Sequence, residues 1–595
     1  MNSFFERRYV IAGIFITIVV ILLARLFYMQ VIDDRYAIYA GKNVLRQTIQ
    51  YPARGPILDR NGKVLVLNEP FYDIVVEPRK VKPFDTLAFC KLLGIDKAEF
   101  DKRWTKALKQ LPQSIFEKQL TAQAYASVQE RLSEFPGFST ITRYLRTYPD
   151  SVAAQFLGYI GEVQDKDIER SKGYYHRGDF IGITGVEKSY ETVLRGQRGI
   201  LNQMVDSRGR PKGKYANGLF DTAAVAGERL TSSLDINIQK LGEQLMHNKV
   251  GSIVAIEPST GEILCYVSSP TYDPNLMVGR ERGNNAAKMY ADVYNPFFIR
   301  PIQAKYPPGS SFKPLSALIG LQEGIITPQT TYYCPGYYQA GNRRVKCNNG
   351  ESHGLVNLSS AVAESCNGYF MMVFEKIINR YGGKNTEEEF NKWRDNVKKF
   401  GLGSRLDLDM PSESRGNVPT SLYYDNIYHK GGWRSSTVIN VAFGQGELLA
   451  TPLQMANLEC TIANEGFYYK PHLIKAIGAH NVIKKEYTVR NYVGIDSQYF
   501  QPVINGMEAV VERGTAIRSK IPGIIMCGKT GTAQKIDPAT GKYSHRKHIA
   551  SFGGFAPVNN PAVTVLVVLD SPAGGYPKDG GGEAAAPVFA RVAQQ

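Results

Sequence analysis

Three short strings follow one another in the second half of the chain: Ser310-Ser311-Phe312-Lys313, Ser365-Cys366-Asn367 and Lys529-Thr530-Gly531-Thr532. They supply a hydroxyl nucleophile and groups able to move its proton. A serine hydroxyl is a weak nucleophile at neutral pH and needs a base beside it. Pro307-Pro308-Gly309 ends an irregular stretch just before Ser310, so the serine is expected to open a helix on which Lys313 shares its face. Partial burial and a second cation, Lys529, would lower the Lys313 pKa enough for its neutral amine to act as the base. Ser365 suits a proton relay between Lys313 and a leaving amine, and Asn367 can hold a substrate amide. The N–H of Ser310, at a helix start, can point at an oxyanion together with one from the strand carrying Thr532. Lys529, Thr530, Gly531 and Thr532 form a carboxylate-binding edge. Side chains alternate along a strand, so its backbone is at least as good a binding element as its hydroxyls.

Each string alone is common, SxxK as a solvated helix turn and KTG as an ordinary loop. Their order and settings carry the reading. The elements around them are consistent with it. Ser252–Ile256 and Ile263–Val267 flank Glu257-Pro258-Ser259-Thr260-Gly261-Glu262, a hairpin signal. Further strands are expected at 524–528, 550–556 and 562–569, a helix from about Ile236, and an Ala-rich helix at the end. An antiparallel sheet flanked by helices accounts for this order.

The 595 residues exceed what one core can hold, so two or three domains are expected. An apolar stretch from Tyr9 to Met29, broken by Arg25, is long enough to cross a bilayer. It exceeds a signal-peptide core and lacks a small-x-small cleavage site, so it is expected to stay as an anchor. Arg7 and Arg8 before it, and Asp33 and Asp34 after it, place the N-terminus in the cytoplasm and the rest outside. The net charge of +16 is spread along the chain without a basic run, which argues against nucleic-acid binding.

Between anchor and catalytic region, Asn61-Gly62 marks a tight turn between apolar stretches. Asp59 and Arg60 beside it suit either a solvated turn or charge pairing at a buried junction. Residues 84–136 read as a small mixed subdomain, and Glu187–Leu194 as a short helix. The expected organisation is α+β: residues 1–30 a cytoplasmic tail and single transmembrane helix, 31–225 an extended mixed scaffold or pedestal, and 226–595 the catalytic domain.

Cys334, Cys347, His353 and Cys366 follow at intervals of 13, 6 and 13 residues. Three thiolates and an imidazole suit a closed tetrahedral zinc site, although the spacing is not a zinc-finger pattern. The competing reading is a Cys334–Cys347 disulfide in an oxidising compartment. Because Cys366 is the middle residue of Ser365-Cys366-Asn367, a structural metal would hold the relay residues in register. Cys90, Cys265 and Cys460 read as buried small apolar residues, and Cys527 has no assigned role.

With these motifs the chain resembles the class B penicillin-binding proteins, the membrane-anchored D,D-transpeptidases that cross-link peptidoglycan. The resemblance covers nearly the whole length. It includes Arg54-Gly55-x-Ile57-x-Asp59-Arg60-Asn61-Gly62, the segment from Gly185 to Gly199, Tyr306-Pro307-Pro308-Gly309-Ser310, and Gly444-Gln445-Gly446 with Ala450-Thr451-Pro452-Leu453-Gln454-Met455. It implies that Ser310 attacks the penultimate D-Ala of a stem peptide, that an amine of a neighbouring strand resolves the acyl-enzyme, and that β-lactams acylate the same serine. It further implies a separate glycan polymerase of the SEDS glycosyltransferase type and other elongation-complex membrane proteins as partners. The Tyr306-Pro307-Pro308-Gly309 lead-in and the metal candidates favour the elongation group, penicillin-binding protein 2, over the division type. Some members of that group have a metal here with carboxylates among the ligands, where this chain offers cysteine. A D,D-carboxypeptidase would use the same residues with water as acceptor, and the long scaffold argues against it. A β-lactam sensor would need a cytoplasmic effector, for which the short tail leaves no room.

Overall fold

The computed structural model describes residues 3–28, 45–109, 114–120, 122–205, 211–536, 543–571 and 580–595. Asp33 and Asp34 lie outside the described residues. The chain forms two compact units, one of residues 1–54 with 195–227, the other of 55–194 with 228–595. In the first unit, helix α1 (Ser3–Phe27) contains a stretch, Arg8–Phe27, with a mean hydropathy of 2.8. Its length and composition match a bilayer span. A three-stranded antiparallel sheet of Leu45–Gln50, Gly199–Val205 and Pro211–Lys214 belongs to the same unit.

The second unit opens on β1 (Ile57–Leu58), turns at Asn61-Gly62, and continues as the long strand β2 (Val64–Val76). Strands β3 (Ser114–Leu120) and β4 (Phe138–Thr147) both pair with β2. The helices between them close a separate small core of Phe89, Phe100, Phe116, Phe135 and Phe138, matching the expected mixed subdomain. Strand β5 (Leu230–Ser232) lies parallel to β1 and antiparallel to Ile474–Ile477, so one sheet joins early and late parts of the chain. Asp59 is 1% exposed and accepts from the N–H groups of Asn61 and Lys63, while Arg60 pairs with Glu257 at 3.2 Å and Glu262 at 3.3 Å. The pair thus sits at a junction, not on a free turn.

The expected helix over Glu187–Leu194 is instead two short ones, Gly185–Ser189 and Glu191–Leu194. Buried Tyr190 stands at the break, and its hydroxyl donates to Asp409 at 2.6 Å. That long-range bond prevails over local helix continuity.

Helix α2 (Ile236–Leu245) begins where Asp235 caps the N–H groups of Asn237 and Ile238. The hairpin β6 (Gly251–Ile256) and β7 (Ile263–Ser269) follows, buried along its whole length. Next come α3 (Lys313–Gln322), the strand pair β8 (Tyr332–Cys334) and β9 (Gly354–Val356), and helices α4 (Leu358–Ala363) and α5 (Asn367–Ile378). Helix α6 (Pro452–Ala463) has Pro452 in its first turn and a reciprocal Thr451–Gln454 cap, and it is buried almost end to end. Helix α7 (Phe500–Glu512) leads to β10 (Cys527–Ile536), β11 (Tyr543–Ala556) and β12 (Val563–Asp570), and α8 (Ala586–Gln594) closes the chain.

The five strands run antiparallel in the order β7-β6-β12-β11-β10. Helix α8 covers one face, with Phe589 against Phe552, and α6 covers the other, with Glu459 against Gly553. The fold is therefore α+β, as expected, with Lys529-Thr530-Gly531-Thr532 on the edge strand. The strand expected at 524–528 starts instead at Cys527 and runs through the motif to Ile536.

Candidate active site

Ser310 lies in a tight 3-10 turn, Gly309–Phe312, that runs directly into α3, one turn ahead of the regular helix the sequence suggests. Residues three apart eclipse in such a turn, so Ser310 and Lys313 share a face. The turn is fixed from two sides. Ser311 Oγ donates to Pro308 O at 2.6 Å, and Gly309 N donates to Gly444 O at 2.8 Å. A Cβ on Gly444, whose φ is +75°, would lie 2.3 Å from Gly309 O, so only glycine lets these backbones meet. In the sequence Gly444 is marked only by a resemblance, and in the structure by its positive φ.

Lys313 is fully buried, and its Nζ donates to Ser365 O at 2.6 Å, Ser365 Oγ at 2.9 Å and Asn367 Oδ1 at 2.7 Å. The first two strings thus meet at one nitrogen. Burial lowers the Lys313 pKa to about 8, against the pull of the nearby Cys347, Cys366 and Cys334 sulfurs. Ser365 itself has φ of +57°, a left-handed position between α4 and α5 that a non-glycine residue adopts at a cost. Asn357 caps α4 before it, and Cys366 opens α5 after it.

Lys529 is also fully buried on β10, and its Nζ lies 3.2 Å from Thr530 O and 3.1 Å from Thr530 Oγ1. Its pKa falls well below the ordinary lysine value, through burial first and repulsion from Lys313 second. For Lys313 burial is the main cause, so the expected role of the second cation falls on Lys529 instead.

Lys529 and Gly531 face the nucleophile turn: a Cβ on Gly531 would meet Pro308 O and Ser311 Oγ. Thr530 and Thr532 alternate with them on the strand, although the Thr530 hydroxyl also lies within reach of Lys529 Nζ. Thr530 Oγ1 shares a hydrogen bond with Thr515 Oγ1 at 2.8 Å, and Thr532 Oγ1 accepts from Gly581 N at 3.1 Å. The backbones of Gly309 and Thr532 adjoin, since a Cβ on Gly309 would lie 3.0 Å from Thr532 O and 3.4 Å from Thr532 N. The Ser310 N–H and the motif strand therefore flank one space, at the edge of a sheet.

The four soft ligands also converge. Ligand atoms of Cys334, Cys347, His353 and Cys366 all lie within 4.8 Å of one another. His353 Nδ1 is 3.5 Å from both Cys334 Sγ and Cys347 Sγ, and Cys347 Sγ is 3.8 Å from Cys366 Sγ. A tetrahedral zinc ion with bonds of about 2.3 Å to sulfur and 2.0 Å to nitrogen sets these separations at about 3.8 and 3.5 Å. The donor set therefore fits zinc, whereas a disulfide needs its sulfurs at about 2.0 Å. Cys347 Sγ also accepts the Asn367 N–H at 3.2 Å, tying the cluster to the first residue of α5. Cys90, Cys265, Cys460 and Cys527 are buried.

The geometry fits a serine acyl-transfer site. The family described as "Penicillin binding protein transpeptidase domain" matches residues 251–594, and "Penicillin-binding Protein dimerisation domain" matches 49–232. The chain is 31% identical to the peptidoglycan D,D-transpeptidase MrdA of Acinetobacter baumannii, over 95% of this chain and 84% of that protein. It is 30% identical to MrdA of Escherichia coli strain K12, over 96% and 92%. Among solved structures, Pseudomonas aeruginosa PBP2 in complex with WCK 5153 aligns at a TM-score of 0.66 and 26% identity, over 92% of this chain and 96% of that one. The PBP2 of Helicobacter pylori, solved in complex with MreC, shares the fold at a TM-score of 0.77 and 24% identity, over 93% and 98%. The chain belongs to the penicillin-binding protein transpeptidase family. Within it, the chain is an elongation-type peptidoglycan D,D-transpeptidase of the penicillin-binding protein 2 group, acting in peptidoglycan synthesis and cell shape.

Proposed function

We propose that Ser310 is the nucleophile of this transpeptidase and Lys313 its base. The observation that carries the assignment is the triple contact of Lys313 Nζ with Ser365 and Asn367, one helical turn from Ser310. With the amine neutral, two N–H groups serve Ser365 O and Asn367 Oδ1, and the lone pair is left for a hydroxyl proton. Ser310 Oγ bonds to the penultimate D-Ala carbonyl carbon as its proton passes to Lys313. The backbone N–H groups of Ser310 and Thr532 receive the oxyanion. As the C–N bond breaks, the proton passes through Ser365 to the departing D-Ala amine. An amine from a second stem peptide then attacks the ester carbonyl, gives its proton back along the same path, and releases Ser310.

Lys529, with Thr530, Gly531 and Thr532, receives the substrate carboxylate. The Lys529 ammonium, 3.1 Å from Thr530 Oγ1, and the β10 backbone carry the recognition, as an extended peptide added to a sheet edge would require. β-Lactams acylate Ser310 by the same route. Labelling of the full-length chain with a fluorescent penicillin tests the assignment: Ser310→Ala is expected to lose all labelling, and labelling equal to wild type would end it.

Zinc bound by Cys334, Cys347, His353 and Cys366 is proposed as a structural ion. Its contribution is to hold the loop from Ser365 to Asn367 against β8 and β9; the proton transfers belong to the side chains. Arg7 and Arg8 before the apolar span support an N-terminus in the cytoplasm and a catalytic domain in the periplasm. A SEDS-type glycosyltransferase is the proposed polymerase partner. Support comes from a structure titled "Structural coordination of polymerization and crosslinking by a peptidoglycan synthase complex", which aligns at a TM-score of 0.71 and 25% identity over 98% of this chain and 97% of that one.

A further inference from the structure

Glu459 is a titratable side chain that this scheme leaves unused although it lies on the catalytic face of the sheet. It sits on α6 among apolar neighbours, is 0% exposed, and neither carboxyl oxygen has a hydrogen-bond partner among the described residues. A Cβ added to Gly553 would lie 2.6 Å from its Oε1. Gly553 is the β11 residue directly opposite Lys529 on β10. Cross-strand partners direct their side chains to the same face, about 5 Å apart at Cβ. The carboxyl therefore rests on the sheet in the space that a side chain at 553 would fill, beside the root of Lys529.

We propose that Glu459 is a positioning residue for the transpeptidase site: its carboxylate is the buried counter-charge that keeps Lys529 an ammonium able to receive the substrate carboxylate. The inference rests on the carboxylate-binding role given to Lys529 above. Two buried cations without an anion would be costly, and one carboxylate under the strand offsets part of that cost. Burial alone drives both partners toward their neutral forms. It pushes the Glu459 carboxyl up to about 8, so the counter-charge develops as pH rises through that value, and it pushes Lys529 down; each partner's charge opposes the other's shift. Among the described residues, the titratable groups around the pair are Lys313 from α3, which repels Lys529, Cys460 beside Glu459 on α6, Cys527 on the same strand as the lysine, and Glu508 of α7 toward Cys527; β11 places Gly553 opposite the lysine.

The test is the pH dependence of the second-order rate of acylation by a penicillin, measured on full-length wild type, Glu459→Gln, Glu459→Leu and Lys529→Ala. Glutamine copies the protonated carboxyl. With the carboxylate gone, Lys529 loses its proton sooner, so the alkaline limb is expected to move down by about one pH unit while the acid limb stays. Glu459→Leu fills the site with an apolar side chain and is expected to fold and to give the same displaced limb, which decides the matter if the glutamine variant melts. An unmoved alkaline limb in a folded variant, with Lys529→Ala impaired, overturns this inference alone, because Glu459 is then already neutral. Wild-type acylation by Lys529→Ala overturns the carboxylate-binding reading and this inference with it.

Discussion

Lys313 shows how a residue's environment becomes a rate law. As a base it works only when neutral, and burial sets its pKa at about 8. Its neutral fraction grows as pH rises through that value. The acylation rate is therefore expected to climb about tenfold per unit below pH 8 and to level off above it. A stopped-flow profile with a chromogenic β-lactam reads this directly, and a rate independent of pH between 6 and 8 would exclude Lys313 as the titrating base. That Ser310 and Lys313 would share a face was legible in the sequence, because reactive groups at a three-residue spacing imply one. Glu459 was not, because what matters about it is the glycine across the sheet, and Gly553 is 94 positions away in the chain.

At the level of elements, the left-handed Ser365 and the helix it precedes depend on the sulfur cluster beside them. Replacing a ligand, as in Cys334→Ser, should weaken zinc binding by more than about 100-fold, the upper loss seen when only outer partners are removed. Metal analysis of the purified chain should show one zinc in wild type and none in the variant, with a lower melting temperature and slower acylation. A wild-type chain free of metal, with Cys334 and Cys347 oxidised to a disulfide, would refute the site. The strand bounds show where sequence patterning gave out. The apolar run Ile524-Ile525-Met526 drew the expected strand too early, whereas the true strand, Cys527–Ile536, reads as polar because one of its faces belongs to the site. Hydrophobic periodicity finds strands that serve a core and overlooks those that serve chemistry.

Across the molecule, Asp409 fastens parts of the chain that are remote in sequence. It accepts from the Tyr190 hydroxyl at 2.6 Å, from Leu473 N at 2.7 Å and from Ile474 N at 3.1 Å. Asp409→Ala would leave two backbone donors and a buried phenol without this acceptor, at about 1–3 kcal/mol for each group left unsatisfied. Thermal unfolding of the purified variant should fall by several degrees, and Ser310 should still be acylated at the wild-type rate at low temperature. No fall in melting temperature would show the contacts to be replaceable. None of this was readable in the sequence, since Tyr190 lies in a segment marked only by its resemblance, Asp409 belongs to no motif, and the two are joined only by the fold.

The sheet that joins Ile57 to Leu230, and Leu230 to Ile477, also imposes an order on biogenesis. Strand β1 leaves the ribosome early, but its parallel partner is synthesised some 170 residues later and the next strand later still. Until then β1 has an unpaired edge that other chains could use. The second unit cannot close before most of the polypeptide has been synthesised, so stalled or truncated chains should be the species that aggregate or meet proteases.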